Sequence, residues 1–235
     1  MREETIAIIT ARGGSKRIPR KNIKSFCGKP IIEYSIQAAK AAEIFDTIMV
    51  STDDEEIAQV ARKAGAEVPF FRKKETSGDF ATTSDVLREV LQEYQKRGKT
   101  YETGCCLYPT APLVTADKLR QAMHMLRTQG WDSVMPVTAF SFPPLRGMEL
   151  TNGRVAYKWQ ENADVRSQDL KTLYHDCGQF YMFQVKAFLE SGKLVMKNTG
   201  GLILAESEVQ DIDNDMDWKM AELKYRLMQD ERSKT

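Results

Sequence analysis

The stretch Ile6-Ala7-Ile8-Ile9-Thr10-Ala11-Arg12-Gly13-Gly14-Ser15-Lys16-Arg17-Ile18-Pro19-Arg20-Lys21-Asn22 decides how this chain is read. Its apolar start has the character of a buried strand. Two glycines follow that let backbone approach a ligand, and then a run of cations that brings positive charge to the same place. Such a turn suits a triphosphate, although a tight turn beside a solvated basic loop would share the same letters. Neither GxxxxGK[ST] nor GxGxxG occurs here, so a nucleotide would be held by a different turn, one that leans on side-chain cations as well as backbone N–H groups.

Working outward, strand and helix patterns alternate, as βαβ units around a largely parallel sheet require. Pro30 can occupy the first turn of a helix burying Ile31, Ile32, Ser35, Ile36 and Ala39. Thr47 to Thr52 reads as the second strand. Asp53 with Glu56 makes a capping box for the next helix, which carries Ile57, Val60, Ala61 and Ala64 and stops at Gly65, and Asp53 and Asp54 read as helix-cap acids rather than metal ligands. A third helix follows Thr82-Thr83-Ser84-Asp85, and Gly104 to Tyr108 is a continuously apolar strand ending at Pro109-Thr110-Ala111-Pro112. Ligands bind beyond the carboxyl ends of strands in open parallel sheets, which assigns this turn and the Arg12 loop to one crevice. After a helix through Leu119, Ala122, Met123 and Leu126 and a strand at Ser133 to Val137, the alternation breaks. From Thr138 to Tyr174 helical patterns vanish, and Asn152-Gly153 carries a hairpin signal. The fold expected is α/β and doubly wound, one domain over 1–235, with 138–174 as a β-rich insert.

Length and composition fit that picture. The chain has 235 residues, 42% of them hydrophobic, enough to bury a core. Lys and Arg number 34 against 33 Asp and Glu, so no global field draws in nucleic acid or an anionic membrane. Cys27, Cys105, Cys106 and Cys177 form no CxxC pair and read as small buried hydrophobes of a reducing compartment. With no signal-like apolar region at the start, a cytoplasmic location is expected.

Near the other end, Val209-Gln210-Asp211-Ile212-Asp213 reads as a strand leading into a helix with Trp218, Ala221 and Tyr225 on one stripe. On a strand, Asp211 and Asp213 would face one side while Ile212 turns inward. Two hard carboxylates suit magnesium shared with phosphate oxygens and water, and as a surface pair or helix cap they need no metal. Cations, a metal and a triphosphate together describe nucleotidyl transfer to a bound hydroxyl, with pyrophosphate leaving. No general base is obvious, and metal-assisted deprotonation supplies one. His175 beside Asp176 makes a hydrogen-bonding or structural pair rather than a catalytic dyad, because adjacent residues on an extended segment point opposite ways. A metal-dependent glycosyltransferase and a non-catalytic nucleotide sensor are the alternatives from other classes.

The segments ARGGSKRIPRKNIK, FCGKPII, VSTDDEEIA, YPTAP, RSQDL, YHDCGQFY and VQDIDNDMDW together resemble the cytidylyltransferases that activate nonulosonic acids, the group of the CMP-sialic acid synthetases. RSQDL with YHDCGQFY is nearest to the members that act on pseudaminic acid. The resemblance implies a Rossmann-like nucleotidyltransferase fold and a magnesium-dependent reaction, with manganese as a possible substitute, between CTP and the sugar acid. It implies that Arg12, Gly13, Gly14, Ser15, Lys16, Lys21 and Asn22 hold CTP, with Arg12, Lys21 and Asp211 serving the chemistry. Arg72 and the segment from Asp79 through Thr82 to Thr83 match a stretch that closes around the cytidine. Asp211 and Asp213 match metal ligands, and Tyr108, Thr110, Arg166, Gln168, Tyr174, His175, Gln179 and Tyr181 match the sugar site. The insert matches a dimerisation element, which would let Arg166 serve a neighbour's site in a homodimer. Sialic acid enzymes resemble QPTSPLR where this chain has Tyr108-Pro109-Thr110-Ala111-Pro112-Leu113-Val114, a departure that argues against sialic acid as acceptor; legionaminic and octulosonic acids are further alternatives.

Overall fold

A computed structural model describes residues 3–15, 17–78 and 80–232. The first strand, β1 (Thr5–Thr10), is buried almost throughout, as its apolar run requires. It lies between β2 (Thr47–Ser51) and β3 (Thr103–Leu107), parallel to both, pairing Ile8 with Met49 on one side and with Cys106 on the other. The sheet continues through β8 (Phe180–Gln184), which runs antiparallel to β3, then β4 (Ser133–Ala139) and β9 (Thr199–Ile203), giving the order β9-β4-β8-β3-β1-β2. A short strand, β7 (Tyr174–Asp176), pairs antiparallel with β4. Among the described residues only β7 and β8 oppose the other strands of this sheet, so it is mixed and mostly parallel.

Alternation along β1 divides the core in two. Ala7 and Ile9 face α1 (Ile31–Ala42), α2 (Glu55–Ala64) and α4 (Ala116–Thr128), while Ile6 and Ile8 face α3 (Thr83–Lys96) and α5 (Val185–Ser191). Helices therefore cover both faces, which is what a doubly wound sheet needs to bury continuously apolar strands. Thr82 and Asp85 form a reciprocal capping box at the start of α3, and Gly65 ends α2 with φ 94.

A third, smaller core joins the two ends of the chain. Ile18 and Phe26 from the basic turn pack with Ile31, Tyr34 and Ile212, and with Trp218 and Ala221 of α6 (Asp215–Arg232). Phe26 meets Tyr34 and Trp218 edge-on at 5.3 and 5.6 Å between centroids. Burial of the isoleucine and phenylalanine side chains among these, each contributing about 1.5–3 kcal/mol, holds the C-terminal segment against the first loop.

Three local expectations change. Pro30 is the residue before α1 rather than within its first turn. Asp54, not Asp53, caps α2, accepting from the Ile57 amide at 3.0 Å; its neighbour accepts instead from the Gly13 amide at 2.9 Å. Among the described residues Val209 to Asp213 pairs with no strand, although Ile212 is fully buried between exposed Asp211 and half-buried Asp213. Burial of Ile212 in the third core, rather than a ladder, imposes that alternation.

In the insert, β5 (Met148–Thr151) and β6 (Arg154–Tyr157) form the expected hairpin, with Asn152 and Gly153 both at positive φ. It exposes Met148, Leu150 and Val155. Among the described residues no helix is long and apolar enough to cross a membrane.

Candidate active site

The chain leaves β1 toward β2 on one side, and β3 lies on the other. Their carboxyl ends thus open a crevice where the sheet order switches, the usual ligand position in open α/β sheets. A cleft of about 400 Å³ lies there, lined by Thr10, Arg12, Ser15, Arg17, Lys21, Asn22, Tyr108, Pro109 and Thr110. It brings the basic turn after β1 together with the proline turn after β3.

The twin acids reach the same place. Lys21 Nζ donates to the Ile212 carbonyl at 2.6 Å, between the two aspartates, and Arg17 Nη1 lies 2.7 Å from Asp213 Oδ2. Burial pushes the Lys21 ammonium below its ordinary range, while the fields of Asp213 and Asp211 oppose that shift. Asp211 also lies beside Gly178, which leaves β7 at a positive φ of 60. Asn22 Nδ2 donates to the Arg12 carbonyl at 2.8 Å, tying the two ends of the basic turn together.

Backbone donors contribute differently from the expectation. The Gly13 amide points at Asp53, whereas a Cβ at Gly14 would meet nothing within 4 Å, so this is the glycine with open space beside it. Lys16 and Asp79 lie outside the described residues.

Arg72 does not line the cleft. Its guanidinium donates to Ser51 Oγ at 3.1 Å and to the Ser51 carbonyl at 2.8 Å, and its own amide donates to Thr52. Burial lowers its pKa, opposed by Asp53 and Glu89. Thr82 is occupied with the α3 cap, and Thr83 faces the Tyr108 hydroxyl. Tyr108 in turn meets Tyr181 edge-on at 5.9 Å, and Tyr181 donates to the Asp176 carboxylate. These contacts form a polar file from the start of α3 to the end of β7.

Other sugar-site candidates are not gathered into the cleft. Gln179 is buried and its amide donates to the Glu208 carbonyl at 2.6 Å. Arg166 is exposed and paired with Asp169 at 2.8 Å, and Gln168 is exposed beside it. His175 is exposed, its ring 4.8 Å from that of Phe140 and its Nδ1 bonded to the Asp176 carbonyl; Tyr174 is exposed on the same strand.

The sequence reading gave no individual role to Arg17, Arg20 or Glu89, and took Asp54 only as a helix-cap acid. Arg17 lies within the quoted basic run, so its charge was the available signal. Glu89 sits on the buried stripe of α3 and its carboxylate accepts from the Lys73 amide at 2.9 Å and from Thr76, anchoring the segment after Arg72. A lone acid among Val86, Leu87 and Val90 is the mark of such an anchor.

Among the described residues no group of three or more His, Cys, Asp or Glu gathers to hold a metal. Asp211 and Asp213 would supply two carboxylates, a donor set that fits magnesium only when phosphate oxygens and water complete it.

The sequence profile of the cytidylyltransferase family matches residues 6–203. The chain is 40% identical over 225 residues to the pseudaminic acid cytidylyltransferase of Campylobacter jejuni subsp. jejuni serotype O:2, covering 95% of this chain and 97% of that one. It is 31% identical over 231 residues to the CMP-N,N'-diacetyllegionaminic acid synthase of Legionella pneumophila subsp. pneumophila, covering 96% and 97%. Its fold is similar to that of a CMP:2-keto-3-deoxy-manno-octonic acid synthetase complexed with CTP, with TM-score 0.70 at 15% identity over 97% of this chain and 99% of that one. Sequence and architecture agree, and the chain belongs to the cytidylyltransferase family.

Proposed function

We propose that this protein transfers CMP from CTP to the anomeric hydroxyl of a nonulosonic acid, with pseudaminic acid as the preferred acceptor. The observation that carries the reading is the meeting of Arg12, Arg17 and Lys21 with the Asp211–Asp213 segment at one cleft. The preference for pseudaminic acid is supported by the activity named for the Campylobacter jejuni relative. Attack of the acceptor hydroxyl on the α-phosphorus forms one P–O bond, breaks the bond to pyrophosphate and releases the hydroxyl proton. Arg12, Arg17 and Lys21 offset the charge of the triphosphate. The half-buried position of Lys21 strengthens its field at the reacting group, because water screens it less there. Ser15, Asn22 and the open backbone at Gly14 line the phosphates, and Tyr108 and Thr110 border the acceptor side. Asp211 and Asp213 would hold magnesium, or manganese in its place, which would offset phosphate charge and ease deprotonation of the acceptor hydroxyl.

The insert joins two copies in this reading. Phe142, Met148, Leu150 and Val155 are exposed on it, a cluster of apolar side chains that a second subunit would cover. Arg166 and Gln168, which do not line the cleft of their own chain, would then serve the partner's sugar site.

Pyrophosphate release from CTP and magnesium with a panel of sugar acids tests the reading. Pseudaminic acid is expected to give the highest kcat/KM, above legionaminic, sialic and octulosonic acids. A faster reaction with sialic acid would overturn the acceptor assignment, and CTP binding without turnover on any acid would overturn the activity.

A further inference from the structure

Beside the cleft, the basic turn is fastened to the start of α2. Arg20 has φ 54, a left-handed backbone that side-chain-bearing residues adopt at a cost. Its guanidinium spans Asp54 with both terminal nitrogens, Nη2 reaching Oδ1 at 3.0 Å and Nη1 reaching Oδ2, and Nη2 also contacts Glu56. Asp54 holds α2 at the same time by accepting from the Ile57 amide. On the other side of the turn, Gly13 donates to Asp53 at 2.9 Å and lies so close to Asp54 that an added Cβ would sit 3.0 Å from the Asp54 Cβ.

Residues 13 and 20 are thus both pinned to one helix terminus. Asp53, Asp54, Glu56 and Arg20 do not line the cleft, whereas Arg12, Ser15, Arg17, Lys21 and Asn22 do. We propose that Arg20 and Asp54 are positioning residues, a clamp that aims the cations of the turn into the cleft before the nucleotide arrives. Preorganising a charged loop in this way removes ordering entropy from the binding step. The Arg20–Asp54 contact raises the guanidinium pKa and lowers that of the carboxyl, as a formed ion pair should.

The clamp rests on the CTP reading of the cleft, and two substitutions probe it without disturbing local backbone. Arg20→Gly tolerates the left-handed conformation, and Asp54→Asn retains a good helix cap while losing the charge. Each single variant is expected to weaken CTP binding, measured by calorimetry, by about fivefold, the fold-change matching the upper range of a surface ion pair. Both together are expected to weaken it no more than Arg20→Gly does alone, with the KM of the sugar acid unchanged, because the Arg20–Asp54 interaction can be lost only once. Unaltered CTP affinity in the singles, or losses that multiply in the double variant, would overturn the clamp. Amide hydrogen exchange over residues 13–24 needs no nucleotide, so it judges the clamp even if the wild-type protein fails to bind CTP. Faster exchange in the singles, no faster in the double than in Arg20→Gly, supports the clamp, and unchanged exchange overturns it.

Discussion

Replacing Lys21 with Met retains most of the apolar stem and removes the ammonium that joins the two ends of the chain. In the structure that ammonium donates to a carbonyl 191 residues away at 2.6 Å. A hydrogen bond from a charged donor contributes about 1.5–3 kcal/mol, and relief of the lysine's burial offsets part of it, leaving a loss of about 1–2 kcal/mol. For a chain of this size each kcal/mol moves the melting temperature by about 2–4 °C, so Lys21→Met should melt roughly 2–8 °C lower. The catalytic loss should be larger in proportion. One preorganised cation at developing charge is worth about 2.7–4 kcal/mol of barrier, a fall of roughly 10²–10³ in kcat. Thermal unfolding and initial rates of pyrophosphate release at saturating CTP and sugar acid measure the two effects. A variant that melts like the parent and keeps its kcat, with only the KM for CTP raised, would refute the role given to Lys21.

Two further outcomes follow from packing and charge. Gly104→Ala places a Cβ within 2.5 Å of Phe183 Cε2 in a fully buried strand pair and should cost about 3 kcal/mol, whereas Gly14→Ala meets nothing and should leave the melting temperature unchanged. The Asp54 carboxyl, held below the ordinary aspartate range chiefly by its hydrogen bond from Arg20, contributes stability that is present above that range. The contribution disappears as pH falls through the lowered folded value, so the melting temperature of Asp54→Asn should drop less than that of the parent on acidification below about pH 4.

What could be read ahead of the coordinates divides along physical lines. The strands and helices were legible because Ile6 to Thr10, the stripe from Val86 to Tyr94 and the Asn152-Gly153 turn each carry a local period or backbone preference. The convergence of the basic turn and the twin acids was legible only as a chemical requirement, and the packing of Ile18 and Phe26 against Ile212 and Trp218 is what fulfils it. Two adjacent aspartates cannot reveal which one caps α2, since either offers the same carboxylate. The alternation of Val209 to Asp213 looks the same whether a ladder or one buried isoleucine imposes it. Side-chain direction was hidden at Gln179, which turns inward to Glu208, and at Arg166, whose partner within the chain is Asp169.

The account depends on the basic turn and the twin aspartates serving one metal-bound triphosphate. A crystal of the protein grown with CTP and manganese, read by anomalous scattering, tests this most directly. The account predicts a metal peak bonded to Asp211 or Asp213 and to a phosphate oxygen, with Lys21 and Arg17 on the same triphosphate. A triphosphate lying elsewhere, or a manganese ion with no ligand from either aspartate, would contradict it.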